Sequence, residues 1–265
     1  MRTRSVCWMA LTLLITTAAL AEPGAWKQVG PSGAWKGTTA GAVLDGKIYT
    51  TEASGVLYVT DPTTGVWKAV GKPDFAGTVA MVAANGKLYT IEATGSLYAV
   101  DPATGAWVGL GKPGEWKGTR AGAVLNGQFY TTEVNGGLYV TDLNTGTWKP
   151  IGKPEFANTI AVFAANGQLY TVENTGSLYA VDAATGAWKG VGKAGDWKGT
   201  TAAASIGGKL YTTEVSGVLY ETELATGAWK PIGKPDFKGT VVIFPVGNTL
   251  YTIEASGSLY EVQVN

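Results

Sequence analysis

Six glutamates stand at equivalent places in this chain: Glu52, Glu92, Glu133, Glu173, Glu214 and Glu254 each end a Y-T-x-E segment. Each repeat also carries an aromatic residue in a Gly-rich connection, Trp35, Trp116 and Trp197 in alternation with Phe75, Phe156 and Phe237. An aromatic ring stacks on the apolar C–H face of a pyranose, and a carboxylate accepts hydrogen bonds from its hydroxyls. The pairing therefore predicts repeated carbohydrate sites. The competing reading is structural, with each ring plugging the wedge between neighbouring repeats and each Glu capping a turn amide or pairing with a Lys such as Lys36 or Lys117.

Catalysis is disfavoured by the same pattern. Glycoside hydrolysis needs two carboxylates in different environments, whereas six like carboxylates have no reason to hold different pKa values. The chain has no histidine, and its single cysteine is Cys7. Ser-His-Asp and Cys-His nucleophile systems and His- or Cys-ligated metal sites lose their ligands. The expectation is a non-catalytic binder with no metal or other cofactor, whose repeated weak sites gain avidity when several engage together.

The elements that position these residues follow from an internal repeat. The Trp of the G-x-W motif falls at Trp26, Trp67, Trp107, Trp148, Trp188 and Trp229, spaced alternately by 41 and 40 residues. Within each repeat, short runs of apolar, β-branched and aromatic residues alternate with turns such as Asn85-Gly86 and Asp101-Pro-Ala-Thr-Gly105. Asn-Gly between apolar runs signals a hairpin. Four antiparallel strands per repeat, A to D, predict an all-β fold: a six-bladed β-propeller of four-stranded blades. Beyond its first 21 residues the chain opens with a lone D-type strand, Gly24-Ala-Trp-Lys-Gln-Val-Gly30, and it ends after a C-type strand, so the N-terminal strand should complete the last blade and remove the exposed sheet edge. A longer period lies above the first, because W-K-G-T repeats alternate with acidic-Phe repeats; the chain reads as three two-blade units.

The run YAVDPATGAW, with the GKP that follows, resembles kelch repeats, although Thr51-Glu52 and Ile91-Glu92 stand where kelch strands carry a glycine doublet. The pattern W-x-x-V-G followed by two G-x-L-Y segments resembles tectonin and related lectin propellers. That second resemblance implies sugar or surface-glycan binding; the kelch resemblance implies the alternative function, a protein-protein interaction scaffold. The A-x-D-x-x-T-G run also resembles quinoprotein propellers, but the Trp stands closer to the Gly than theirs does.

The first 21 residues read as a secretory signal peptide: Arg2 and Arg4, an apolar run from Cys7 to Leu20, and Ala19-x-Ala21 before Glu22. The domain reading is therefore a signal peptide over 1–21, cleaved after Ala21, and a propeller over 22–265. The remainder carries 18 basic against 20 acidic residues, which gives no basic field for nucleic acid or anionic lipid. No later segment is long enough and apolar enough to insert into a membrane. The expectation is a monomeric bacterial periplasmic or secreted protein, without a disulfide. The G-x-W tryptophans and the twelve tyrosines, two per repeat, are expected to pack between blades. The D-x-x-T-G turns offer too few oxygens for calcium and read as Asx turns.

Overall fold

The computed structural model describes residues 22–264; the expected signal peptide and its cleavage point lie outside them. Twenty-four short strands form six separate four-stranded antiparallel sheets. Blade 1 contains β2 (Thr38–Leu44), β3 (Lys47–Glu52), β4 (Leu57–Thr60) and β5 (Trp67–Val70), paired in that order from the inside outward. Blades 2 to 5 repeat it. Blade 6 is built from β22 (Thr240–Val246), β23 (Thr249–Glu254) and β24 (Leu259–Val262), and its fourth strand is β1 (Trp26–Val29).

This ring closure is the one predicted. Trp26 pairs with Val262 and Val29 with Leu259, and the Gly24 and Gln263 amides donate to Gln263 and Ala25 carbonyls at 2.7 and 2.8 Å. Pairing with β1 gives blade 6 the same four strands as the other blades and joins the two ends of the described chain in one sheet. The A-to-B turns follow from local chemistry, because Asn85 and Gly86 both have positive φ (50° and 70°), as a type I′ turn requires.

Neighbouring blades are joined through the D-to-A connection. The backbone N–H of Trp35 donates to the Gly257 carbonyl of blade 6 at 3.0 Å, and Phe75 donates to Gly55 of blade 1 at 2.9 Å; all six aromatics repeat this link. Gly257 has φ +85°, and a Cβ there would lie 2.4 Å from the Lys36 nitrogen. Only glycine permits both the turn and the approach. The six rings themselves are 1–2% exposed. Each fills a wedge between blades, as Phe75 does among Leu57 and Val70 of blade 1 and Leu88 and Val100 of blade 2.

Candidate functional site

In each blade the D-to-A connection and the B-to-C turn lie on one face of the disc. The inner strand begins there with a β-bulge. In blade 1 Thr38 pairs with Glu52 and Ala40 with Thr51, leaving Thr39 as the extra residue; the same shift occurs in all six blades. A bulge turns its extra residue out of the ladder, and here it exposes Thr39, Val79, Arg120, Ile160, Thr201 and Val241 around the mouth of the central channel. Apolar and polar residues alternate around that ring. Thr39 and Thr201 are tied by their hydroxyls to Thr51 and Thr213, whereas Arg120 forms no ion pair among the described residues. Val134 and Val215, in the B-to-C turns of blades 3 and 5, add exposed apolar surface at 56% and 64%. Deeper in the channel a cavity of about 300 Å³ is lined by residues from every inner strand, most of them small.

The glutamate ring lies beneath this mouth. Glu92, Glu133, Glu173 and Glu254 are buried, and Glu52 and Glu214 are half-buried. Burial pushes all six carboxyls above their ordinary range. In the Phe blades a threonine hydroxyl donates to the carboxylate, Thr78 to Glu92 at 2.8 Å, with Thr159 to Glu173 and Thr240 to Glu254 both at 2.9 Å. In the Trp blades the equivalent hydroxyls of Thr38, Thr119 and Thr200 donate to the Trp35, Trp116 and Trp197 carbonyls and do not reach the glutamate; Thr240 shares its hydroxyl between Glu254 and the Phe237 carbonyl, both at 2.9 Å.

The expected aromatic platforms are corrected by these positions. Trp35, Trp116 and Trp197 are buried, and their indole N–H groups donate to Thr60, Thr141 and Thr222 at 3.1–3.3 Å. Phe75, Phe156 and Phe237 are equally buried. Filling an inter-blade wedge leaves no ring face for a ligand, so the structure does not bring an open aromatic beside any of the six glutamates.

The rings that are open had been expected to pack. Trp26, Trp67, Trp107, Trp188 and Trp229, which begin outer strands, are 40–45% exposed. Each has on its flank the Tyr of the adjacent C strand, with centroids 4.3–4.9 Å apart; Trp148 has the same neighbour at 5.3 Å and is half-buried. Neither this rim nor the bulge ring was drawn from the sequence. A signal for the ring existed: after the recurring Thr that opens strand A, the next residue varies between otherwise similar repeats. The D-x-x-T-G turns behave as Asx turns, with the Asp101 carboxylate accepting from the Ala103 and Thr104 amides at 2.9 Å. Those bonds hold its carboxyl below the usual range.

No protein-family model and no curated protein matches this chain. Solved structures do. A Bacteroides thetaiotaomicron protein of unknown function aligns over 91% of this chain and 76% of its own, with TM-score 0.70 and 12% identity. Virginiamycin B lyase from Staphylococcus aureus, in a catalytically inactive histidine-to-alanine form with quinupristin, covers 91% of this chain and 89% of its own at TM-score 0.63 and 12% identity. YCF48 bound to a peptide covers 86% and 78%, at TM-score 0.62 and 14% identity. At such identities the likeness is one of fold. It supports a β-propeller and does not extend to a tectonin or kelch family.

Proposed function

We propose that this protein is an exported, non-catalytic binding module that captures a protein partner on the face bearing the D-to-A connections and B-to-C turns. The observation that carries the reading is the bulge ring. Val79, Ile160 and Val241 are held 37–45% exposed in every second blade, and rigid inner strands present them around one opening. Exposed apolar residues grouped on a rigid surface mark interaction sites.

Charge narrows the partner. The six D-to-A connections carry nine exposed lysines, among them Lys72, Lys112 and Lys193, and none forms an ion pair among the described residues. Three of the acids in the same loops, Asp74, Glu155 and Asp236, are engaged by indole N–H groups. A cationic fringe around an apolar centre fits a segment with apolar side chains flanked by acidic ones. Burial of the expected sugar platforms removes the support for carbohydrate on this face. YCF48, of the same fold, was solved with a peptide. The lyase offers no model for catalysis, because its inactive form lacks a histidine and this chain contains none. Export rests on the basic start, the apolar run and Ala19-x-Ala21.

Selection of a displayed peptide library on the purified protein, followed by fluorescence anisotropy with the recovered sequences, tests the proposal. Selected peptides should combine apolar and acidic residues and lose affinity in the Val79→Asp, Ile160→Asp, Val241→Asp variant. Binding should also weaken as salt rises above about 0.1 M. Peptides that bind the triple variant equally well, or an empty selection, would sink it.

A further inference from the structure

The outer rim carries a second, independent arrangement that alternates from blade to blade. In blades 2, 4 and 6 the indole N–H of the outer tryptophan donates to a carboxylate from the D-to-A connection that opens the same blade. Trp107 reaches Asp74 at 3.1 Å, Trp188 reaches Glu155 at 2.8 Å and Trp26 reaches Asp236 at 2.9 Å. In blades 1, 3 and 5 the outer tryptophans Trp67, Trp148 and Trp229 make no such bond among the described residues.

The bond changes how the ring lies. Where the carboxylate holds the indole, its plane is inclined by 51°, 40° and 62° to the neighbouring Tyr98, Tyr179 and Tyr260, with centroids 4.3–4.6 Å apart. In the other three blades the two rings stand nearly perpendicular, at 81–89°, and 4.8–5.3 Å apart. A fixed, inclined indole of 42–45% exposure is a preorganised platform, since little conformational freedom is lost when a ligand stacks on it.

We infer that Trp26, Trp107 and Trp188, with Asp236, Asp74 and Glu155, form three equivalent carbohydrate sites on the rim, each for a neutral pyranose unit. The exposed indole face supplies the apolar surface that a pyranose C–H face needs. Each carboxylate receives the indole N–H on one oxygen and keeps acceptor capacity on the other for a sugar hydroxyl. None of the three carboxylates is in an ion pair among the described residues. A cationic ligand is disfavoured, because Lys72, Lys153 and Lys234 stand two residues before the three acids and repel it. Sites on alternate blades of one rigid disc suit a polymeric glycan, whose repeated units engage more than one of them.

Intrinsic tryptophan fluorescence titrations with cellohexaose, chitohexaose, mannohexaose and xylohexaose test the inference, with choline as the cationic comparison. At least one hexasaccharide should bind saturably below about 10 mM. Affinity should fall by about tenfold or more in Trp26→Ala, Trp107→Ala, Trp188→Ala, and by less than about twofold in Trp67→Ala, Trp148→Ala, Trp229→Ala, where no carboxylate holds the indole. The variant Asp74→Asn, Glu155→Gln, Asp236→Asn keeps the rings and tests the carboxylates without risk to folding; it should weaken binding as well. Absence of saturable binding by any oligosaccharide, equal losses in the two tryptophan triples, or a preference for choline would each overturn it. The peptide selection on the channel face is unaffected by either outcome.

Discussion

Blades 1, 3 and 5 and blades 2, 4 and 6 share a backbone but route their polar groups differently, and the difference starts from one aromatic residue. A Trp plug brings an N–H into the wedge, and the facing position on strand C is Thr60, Thr141 or Thr222, each donated to by the indole. A Phe plug brings none, and the facing residues are Val100, Val181 and Val262. The plug connection also shifts the opening threonine: its hydroxyl reaches only the Trp carbonyl in one set, whereas in the other it reaches the glutamate, with Thr240 also within 2.9 Å of the Phe237 carbonyl. Buried polar groups need partners, so a change of plug propagates through the threonine, the glutamate and the loop acid that holds the outer indole. The two sets of blades thus teach that a sixfold fold can carry threefold chemistry.

The largest effect expected concerns the closing strand that both sets depend on. Removal of residues 24–30 strips β24 of its outer partner and breaks the ring, and should lower Tm by about 10 °C or more in a calorimetric scan. An unchanged Tm would show that blade 6 stands without its fourth strand. Next comes the plug. Trp35→Ala and Phe75→Ala should each cost about 3–5 kcal/mol in denaturant unfolding, equal costs meaning that plug volume matters more than its hydrogen bond. Trp35→Phe sharpens the comparison, since it strands the buried Thr60 hydroxyl at a cost of about 1–3 kcal/mol. Adding Thr60→Val should recover much of that loss, converting a Trp blade towards a Phe blade; strict additivity of the two changes would refute the coupling.

A smaller effect is set by pH. The six ring glutamates titrate higher in the folded protein than in the unfolded chain, so the native state binds protons more tightly in the window above about pH 4.3. Their contribution to stability therefore grows as pH falls from 7 towards that value and is lost as pH rises through their folded pKa. Asp61, Asp101 and Asp182 in the C-to-D turns, held below the usual range by hydrogen bonds, act in the opposite sense and at lower pH: their stabilisation is present above about pH 3.9 and lost beneath it. Denaturant midpoints measured across this range should show a shallower slope in Glu92→Gln, Glu173→Gln, Glu254→Gln; an unaltered slope would assign the pH dependence elsewhere.

The smallest effect belongs to two blades that break the repeat. Glu221 and Glu261 occupy the strand C position held by Val59, Ala99, Val140 and Ala180 elsewhere. Glu221 accepts from Tyr211 at 3.1 Å and pairs with Lys209 and Lys230 at 2.9 and 3.2 Å, while Glu261 pairs with Lys27 of the closing strand at 3.0 Å. Burial and the nearby carboxylate push both Tyr211 and Tyr251 up to about 12. Lys209 and Lys230 are open enough to turn to water, so the stranded Tyr211 hydroxyl sets the cost, and Glu221→Val should lower unfolding free energy by about 1 kcal/mol. A loss several times larger would make the network a structural lock.

The number of blades, the strands of each and the way the ring closes were legible in the amino-acid order alone. Those features rest on local chemistry repeated six times: Asn-Gly turns that demand positive φ, period-two strands and a lone D-type segment ahead of Trp35 with no blade of its own. Exposure was beyond its reach. Ala25-Trp26-Lys27 and Ala34-Trp35-Lys36 are the same tripeptide, yet Trp26 is 43% exposed and Trp35 is 2% exposed. The first opens an outer strand at the rim, and the second is drawn into a wedge by the Gly257 carbonyl of a blade more than 200 residues away in the chain. The bulge ring was hidden for a related reason, because an extra residue in a ladder is visible only once the partner strand sets the register. Burial and register are properties of neighbours brought together by folding, so the tertiary structure alone decided which aromatics pack and which meet solvent.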